Sequence, residues 1–203
     1  MENYKVADNS CECCRIAIST YGKDEAVVFW RHIFPGSIRD HASAILKPNG
    51  ESSYHRATID NWKIEACPHH GRDIVSAEPE QENTNYHAVW FTNGDTRRGI
   101  YYALQNIEAG SQSQLYLVDG TASASHPQIA RQDEALYIAW KFFDGEKTSI
   151  RLITSLDEGK SWLDEGIVLS TQDDSDHPIL IESQGMVYLG WHTLKEGYRV
   201  KAI

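Results

Sequence analysis

Four tryptophan strands recur along this chain at a nearly constant interval. They are Val27-Val28-Phe29-Trp30, His87-Ala88-Val89-Trp90, Tyr137-Ile138-Ala139-Trp140 and Val187-Tyr188-Leu189-Gly190-Trp191. The tryptophans are separated by 60, 50 and 51 residues. A period of about 50 residues carried by short β-type strands is the mark of propeller blades. Each repeat forms one small sheet that cannot bury its faces alone, so successive sheets must stack around an axis. The expected fold is all-β: one propeller domain of four blades, each of four antiparallel strands. The approximate blade limits are 10–60, 66–119, 125–170 and 176–203 plus 1–8.

The third repeat parses most clearly, with strands at Gln128–Arg131, Leu136–Phe142, Ser149–Ser155 and Glu165–Ser170. Its second strand is apolar almost throughout, as expected of a strand buried on both faces. The last repeat offers Pro178–Glu182, Met186–His192 and Tyr198–Ile203, then stops one strand short. The segment Asn3-Tyr4-Lys5-Val6-Ala7 precedes the first repeat where a fourth strand belongs. It is expected to pair there and close the ring, which would remove exposed edges. The competing arrangement is an open half-ring that joins a second copy, so monomer and homodimer both stay open.

The 203 residues suffice to bury a core without disulfide staples. The formal net charge of −10 would repel a polyanion, so no nucleic-acid partner is expected. No apolar run approaches the roughly 20 residues of a membrane span. No charged-then-apolar targeting segment follows Met1. The compartment stays open: cytoplasmic, or extracytoplasmic if a signal was trimmed. Four cysteines could form two disulfides in one setting or a thiolate-rich site in the other.

One turn has a specific pattern: Ser155-Leu156-Asp157-Glu158-Gly159-Lys160-Ser161-Trp162, an Asp box of the form Ser-x-Asp-x-Gly-x-Ser/Thr-Trp. Asp157 can accept backbone N–H bonds within the turn, and Gly159 permits a positive φ. Ser155, Asp157, Gly159 and Trp162 are therefore read as structural. With the tryptophan period, this box resembles the sialidase-like, Asp-box (BNR repeat) propeller superfamily. Cys11-x-Cys13-Cys14-Arg15, Trp30-Arg31, Ile38-Arg39-Asp40 and Trp62-x-Ile64-x-x-Cys67-Pro68-His69-x-Gly71 are similar to bacterial sialidase-related proteins of unestablished function. Such relatives usually carry about six blades, so this chain would be a shortened version.

The resemblance implies a glycan-related ancestry, but it does not bring sialidase chemistry. That chemistry needs an arginine triad, a Tyr/Glu nucleophile pair and an Asp acid. Arg31-His32-Ile33-Phe34-Pro35 matches the family's Arg-Ile-Pro motif only in part, and the rest of the set is not recognisable. Arg15, Arg31 and Arg39, with Asp40, are candidate ligand-binding residues at the top of the first blade. Their structural alternative is pairing of the arginines with Asp40 or Asp73. A retaining hydrolase needs two carboxyl groups about 5 Å apart. Asp40, Asp73 and Glu65 are the candidates.

Aligning the first strands of the repeats places Cys14, His70, His126 and His177 in one column. First strands line a propeller's channel, so one column forms one ring, and in a narrow four-bladed channel its side chains could reach a common point. Thiolate and imidazole suit Zn, Cu or Fe. Cys11, Cys13, Cys67 and His69 stand close enough in sequence to join. The alternatives are histidines that merely serve His-Pro turns, and a disulfide from Cys11, Cys13 or Cys14 to Cys67. His32, His41, His55, His87 and His192 lie on or beside blade strands and receive no chemistry.

The reading is a binding protein without a recognisable catalytic set, holding a transition metal or small ligand at the channel mouth. Metal binding should weaken below about pH 6, where imidazole takes up a proton. A glycan binder or degenerate glycoside hydrolase is the second reading, and a protein-interaction scaffold the third.

Overall fold

The computed structural model describes residues 3–77, 85–108 and 110–203. Among them there are strands and turns and no helix. The first sheet holds β1 (Ala17–Tyr21), β2 (Glu25–Arg31), β3 (His41–Leu46) and β4 (Tyr54–Arg56). The second holds β5 (Arg72–Ser76), β6 (Asn85–Asn93) and β7 (Arg98–Asn106). Both β8 (Ser111–Gln112) and β9 (Tyr116–Asp119) pair along β7. The third holds β10 (Ala124–Gln132), β11 (Ala135–Phe143), β12 (Thr148–Ser155) and β13 (Leu163–Thr171). The fourth holds β14 (Ile179–Ser183), β15 (Met186–Thr193) and β16 (Gly197–Ala202). All pairings are antiparallel, and the four sheets form a four-bladed β-propeller.

The tryptophan strands are β2, β6, β11 and β15; β6 and β11 face a neighbouring blade on both sides, β2 and β15 on one. Phe29 and Val27 of the first blade meet Trp90, Ala88 and Tyr86 of the second. Val89, Phe91 and Tyr102 of the second meet Leu136, Ile138 and Trp140 of the third. Leu152 and Ala139 of the third meet Leu189, Val187 and Trp191 of the fourth. Each apolar layer thus lies between two blades, which is why a blade cannot stand alone.

The indoles also need polar partners. Trp90 Nε1 donates to Asp60 Oδ2 at 3.0 Å, and Trp140 Nε1 to Asp119 Oδ2 at 2.8 Å. Trp191 Nε1 donates to the Asp176 carbonyl at 2.9 Å. Each acceptor lies on the segment that enters the tryptophan's own blade, so entry segment and core strand are fixed together. Trp30 Nε1, in the first blade, has no partner.

The N-terminal segment does not close the ring as expected. Residues 3–7 form no strand, and the fourth sheet ends at β16 with three strands. Val6 and Ala7 instead pack with Phe34 and Leu46 on the patch formed by Val28, Trp30, Ala42 and Ala44. Ser10 then bridges His32. The outward face of the first blade offers this segment apolar contact, so it never reaches β16. Inner strands pack in series, β1 on β5, β5 on β10 and β10 on β14, with no comparable packing of β14 on β1 among the described residues. They enclose a central cavity of about 900 Å³ lined by Ile18, Asp73, Ile129 and Ile181. No helix is long and apolar enough to cross a membrane among the described residues.

Candidate functional site

The site begins with a tight turn. The Cys11 N–H donates to the Arg31 carbonyl at 3.0 Å, and the Cys14 N–H to the Cys11 carbonyl at 3.1 Å. This turn brings the sulfurs of Cys11, Cys13 and Cys14 within 4.8 Å of one another. Cys67, between Trp62 and β5, joins them through a disulfide to Cys13. Cys11 Sγ lies 3.6 Å from the sulfurs of both bonded cysteines, and Cys14 Sγ lies 3.0 Å from Cys11 Sγ. Of the two roles open to the cysteines, one bridge is formed while Cys11 and Cys14 stay free. Burial, reinforced by the hydrogen bond to Cys11, pushes the Cys14 thiol up to about 11. It is protonated at neutral pH unless a metal ion displaces the proton.

Two buried guanidinium groups stand beside these sulfurs. Arg31 donates from Nη1 to the Arg39 carbonyl at 2.7 Å and from Nη2 to the Phe91 carbonyl at 2.9 Å, and it lies over the Trp62 ring. Its Nε has no partner, nor do Nε and Nη1 of Arg72. Burial works against the charge of both, while Cys11 and Cys14 act in its favour. No carboxylate forms an ion pair with either arginine among the described residues.

The imidazoles come from two other blades. His126 sits in a β-bulge of β10, where the register with β11 shifts between Ser125 and Gln128. Its φ is 53°, a left-handed conformation costly for a side chain of this size. Its N–H donates to the His70 carbonyl at 2.8 Å. Gly71 makes this approach possible: at its φ of +75°, a Cβ would lie 3.0 Å from His126 Cα. His177 is held from behind, with Nδ1 2.5 Å from Asp176 Oδ1. That contact assigns the ring proton to Nδ1 and leaves Nε2 as an acceptor, and Nε2 is buried without a partner. The His126 and His177 rings stack with centroids 5.2 Å apart. Burial lowers the pKa of both, that of His126 to about 4, so the neutral ligand form is favoured.

Cys13, Cys14, Arg15, His69, His126 and His177 line one small cavity of about 150 Å³ with Gly71 and Arg72. His70 does not line it; its ring packs 4.4 Å from Phe91 and 6.1 Å from His126, centroid to centroid. The expected column therefore shares one end of the channel, but the sulfurs converge more closely than the imidazoles.

The other candidates are dispersed. Arg15 is exposed at the cavity, whereas Arg39 Nε donates to the Ile64 carbonyl at 3.3 Å. Arg15, Arg31 and Arg39 form no ion pair with Asp40 or Asp73; Asp40 pairs with Arg56. Asp40 also accepts the N–H groups of Asp60, Asn61 and Trp62 at 3.0, 3.0 and 3.2 Å. Asp73 accepts from Ile74 at 2.9 Å and Ile129 at 3.0 Å, and burial raises it to about 7. Glu65 is exposed. Asp40 and Asp73 thus anchor backbone.

In the Ser155–Trp162 turn, Ser155 Oγ accepts from the Gly159 N–H at 2.8 Å and donates to Asp157 Oδ1 at 2.8 Å. Asp157 further accepts the Ser161 N–H at 2.8 Å and its hydroxyl at 2.6 Å, which hold its pKa down to about 2. Trp162 packs edge-on against Tyr102 of the second blade.

Sequence reasoning missed Arg72 and Asp176. Asp176 directly precedes His177, so its place behind the ring was open to a local reading. Arg72 lies two residues past the aligned column, and nothing local marks it as buried.

No protein-family model matches the chain, and no curated protein does. Solved structures share its fold. An exo-1,5-alpha-L-arabinanase from a bovine ruminal metagenomic library is 9% identical with a TM-score of 0.61, over 98% of this chain and 79% of that one. A Trypanosoma rangeli sialidase is 11% identical with a TM-score of 0.59, over 100% of this chain and 39% of that one. The Bombyx mori GH32 beta-fructofuranosidase BmSUC1 is 14% identical with a TM-score of 0.52, over 92% of this chain and 44% of that one. The chain thus spans less than half the length of the sialidase and the fructofuranosidase. At such identities the likeness concerns fold.

Proposed function

We propose that this protein is a transition-metal-binding propeller whose site is the small cavity at the channel mouth. The observation that carries the reading is the meeting of two donor groups at Cys14. One is the pair of free thiols Cys11 and Cys14, whose sulfurs lie 3.0 Å apart, while Cys13 of the same cluster is held in the disulfide. The other is the pair His126 and His177, which lines the same cavity. Asp176 behind His177 is the arrangement that orients imidazole ligands in metal sites, with the far nitrogen left for the ion. Sulfur and imidazole donors suit Zn or Cu. The Cys13–Cys67 bond fits an oxidising compartment.

The test is elemental analysis and zinc titration of the untagged protein, with Cys14→Ser as the decisive variant because Cys14 belongs to both donor groups. One ion per chain, bound about tenfold or more weakly by Cys14→Ser, supports the reading. Absence of bound metal at micromolar zinc, with thiols free and with thiols oxidised, overturns it.

Glycan binding is the second reading, favoured by the fold shared with proteins described as an arabinanase, a sialidase and a fructofuranosidase. Its location would be the larger central cavity, where Asp73, Arg131, Glu134 and Glu182 offer polar contacts. Calorimetric titration with arabino-, fructo- and sialo-oligosaccharides checks it. Hydrolysis is disfavoured, because Asp40 and Asp73 are already engaged by backbone donors.

A further inference from the structure

We infer that the Cys13–Cys67 disulfide is a switch: its reduction converts the channel mouth into a four-cysteine metal site whose counter-charges are Arg31 and Arg72. The inference rests on the metal-binding reading above and concerns how that site is regulated.

The geometry supports four sulfur ligands around one point. In a tetrahedral zinc–sulfur centre with bonds of about 2.3 Å, neighbouring sulfurs lie about 3.8 Å apart. Here Cys11 Sγ is 3.6 Å from Cys13 and from Cys67, and 3.0 Å from Cys14. Cys67 lies outside the group of three sulfurs within 4.8 Å of one another, so once the bridge is opened its side chain must turn toward Cys14 to complete the set. Three of the four come from a single hydrogen-bonded turn, so most of the site is already formed. Cys13 is exposed and Cys67 half-buried, so a reductant can reach the bond, whereas Cys11 is 4% exposed beneath it.

The charges supply the second, independent argument. Arg31 and Arg72 are 1% and 3% exposed, carry unpartnered N–H groups and form no ion pair among the described residues, although Asp60 and Asp40 favour the charge of Arg31 without touching it. A buried guanidinium stays protonated and needs compensation. Four thiolates around a divalent ion carry a net charge of about −2, which two arginines balance. With the bridge intact, the sulfur group can supply at most two thiolates, Cys11 and Cys14. The site must then draw on His126 and His177 to complete its ligands.

The step balances as follows. A small dithiol gives two electrons and two protons to the Cys13–Cys67 bond, yielding two thiols, and becomes a cyclic disulfide. Four cysteine thiols then bind one divalent ion and release four protons. In the reverse direction a small-molecule disulfide takes two electrons from Cys13 and Cys67 and leaves as two thiols, the bond is restored, and Cys11 and Cys14 take up protons as the ion departs.

The experiment is zinc titration of the full chain with the bridge intact and after reduction by a dithiol that is then removed. Cobalt binding, read from its sulfur-to-metal charge-transfer absorption, counts thiolates in parallel. The expected result is about tenfold or greater tightening on reduction. The tightening is lost in Cys67→Ser; in the His126→Ala/His177→Ala double variant the oxidised site weakens and the tightening on reduction grows, and reduced protein gives the stronger cobalt–thiolate band. Arg72→Gln weakens the reduced site while Arg72→Lys restores part of the affinity. Equal affinity in both states overturns the switch but leaves the metal reading standing. Dependence of the reduced site on the two histidines does the same. No binding in either state removes both.

Discussion

In the Ser155–Trp162 turn, the side-chain oxygens of Ser155, Asp157 and Ser161 all have hydrogen-bond partners inside the turn. At the channel mouth, His126 Nδ1, His177 Nε2, Arg31 Nε and two nitrogens of Arg72 are buried without partners. Both regions hold residues at positive φ. In the turn these are Glu158 and Gly159, at the mouth Gly71 and His126. Leaving a buried polar group unpaired costs about 1–3 kcal/mol, and a left-handed non-glycine residue costs about 1–2 kcal/mol more. Apart from Trp162 Nε1, which is also buried without a partner, the turn satisfies its polar side chains with its own atoms. The mouth does not, which is the expected state of a surface completed by a ligand. This contrast, more than residue type, separates scaffold from candidate site, and it can be broken by mutation.

The largest effect falls on the turn. A Cβ on Gly159 would run into the Tyr102 ring and hydroxyl, at a φ of +84°. Gly159→Ala should therefore cost about 3 kcal/mol, from the collision and the forced conformation together. Urea denaturation measures it, and zinc uptake by the folded fraction should be unchanged. A loss under 1 kcal/mol would mean the turn can move away from the second blade. It would then not be the rigid partner in the comparison.

Acid should strain both regions through different groups. Burial lowers His87, beside Tyr102, to about 4 and lowers His126 to about 4. His41 is lowered further by burial and by Arg31 and Arg72. In each case the unfolded chain takes up a proton below about 6.5 that the folded chain refuses. Stability therefore falls as pH drops from about 6.5 to 4, by about 3 kcal/mol from His87 alone. Asp73 acts in the opposite sense. Its raised value, about 7, lets the folded state bind a proton first and recovers some stability over the same range. Seven lowered histidines against two raised carboxyls, Asp73 and Asp60, predict a net decline, read as a falling urea midpoint from pH 7 to 4.5. His87→Gln should flatten the decline. An unchanged slope in that variant would remove the role given to His87.

A smaller effect separates the two regions by function. Ser155 is fully buried and its hydroxyl serves both Gly159 and Asp157. Ser155→Ala should cost about 1.5 kcal/mol and leave metal affinity untouched. Any change in zinc affinity beyond about twofold would couple the turn to the mouth and undo the separation.

These outcomes also mark what the sequence could disclose. The tryptophan strands were legible because a strand buried between two blades must be apolar on both faces, and that leaves a pattern independent of context. The Ser155–Trp162 turn was legible because all its bonds are local. Closure by residues 3–7 was not. A short segment ending in Val6 and Ala7 fits an edge strand or an apolar patch equally well, and the patch around Trp30 won. Cys14, His126 and His177 line one cavity while His70, placed in the same column, does not, because their meeting depends on the bulge at His126, which no alignment of strands contains. Arg31 and Arg72 were opaque for a related reason. A buried arginine is unusual, and only the meeting of three chain segments, the Cys11–Cys14 turn, β2 and β5, buries them.

The smallest predicted effect carries the most information about the mouth. At His126 glycine would adopt the φ of 53° without strain, would delete a buried unpartnered nitrogen, and would lose the stacking with His177. The first two changes stabilise, the last destabilises, and the added freedom of the unfolded chain costs about 0.5–1 kcal/mol. His126→Gly should therefore alter stability by less than about 1 kcal/mol, although it removes a large, half-buried ring. With the disulfide intact it should weaken zinc binding about tenfold, because imidazole completes the ligand set in that state. The glycine change at 159 and the glycine change at 126 then form a matched pair, one adding a Cβ at positive φ and one removing it. If His126→Gly instead costs more than 2 kcal/mol, the imidazole is packing material. The mouth would then resemble the turn, and its unpartnered nitrogens would be the cost of a core rather than the sign of a ligand.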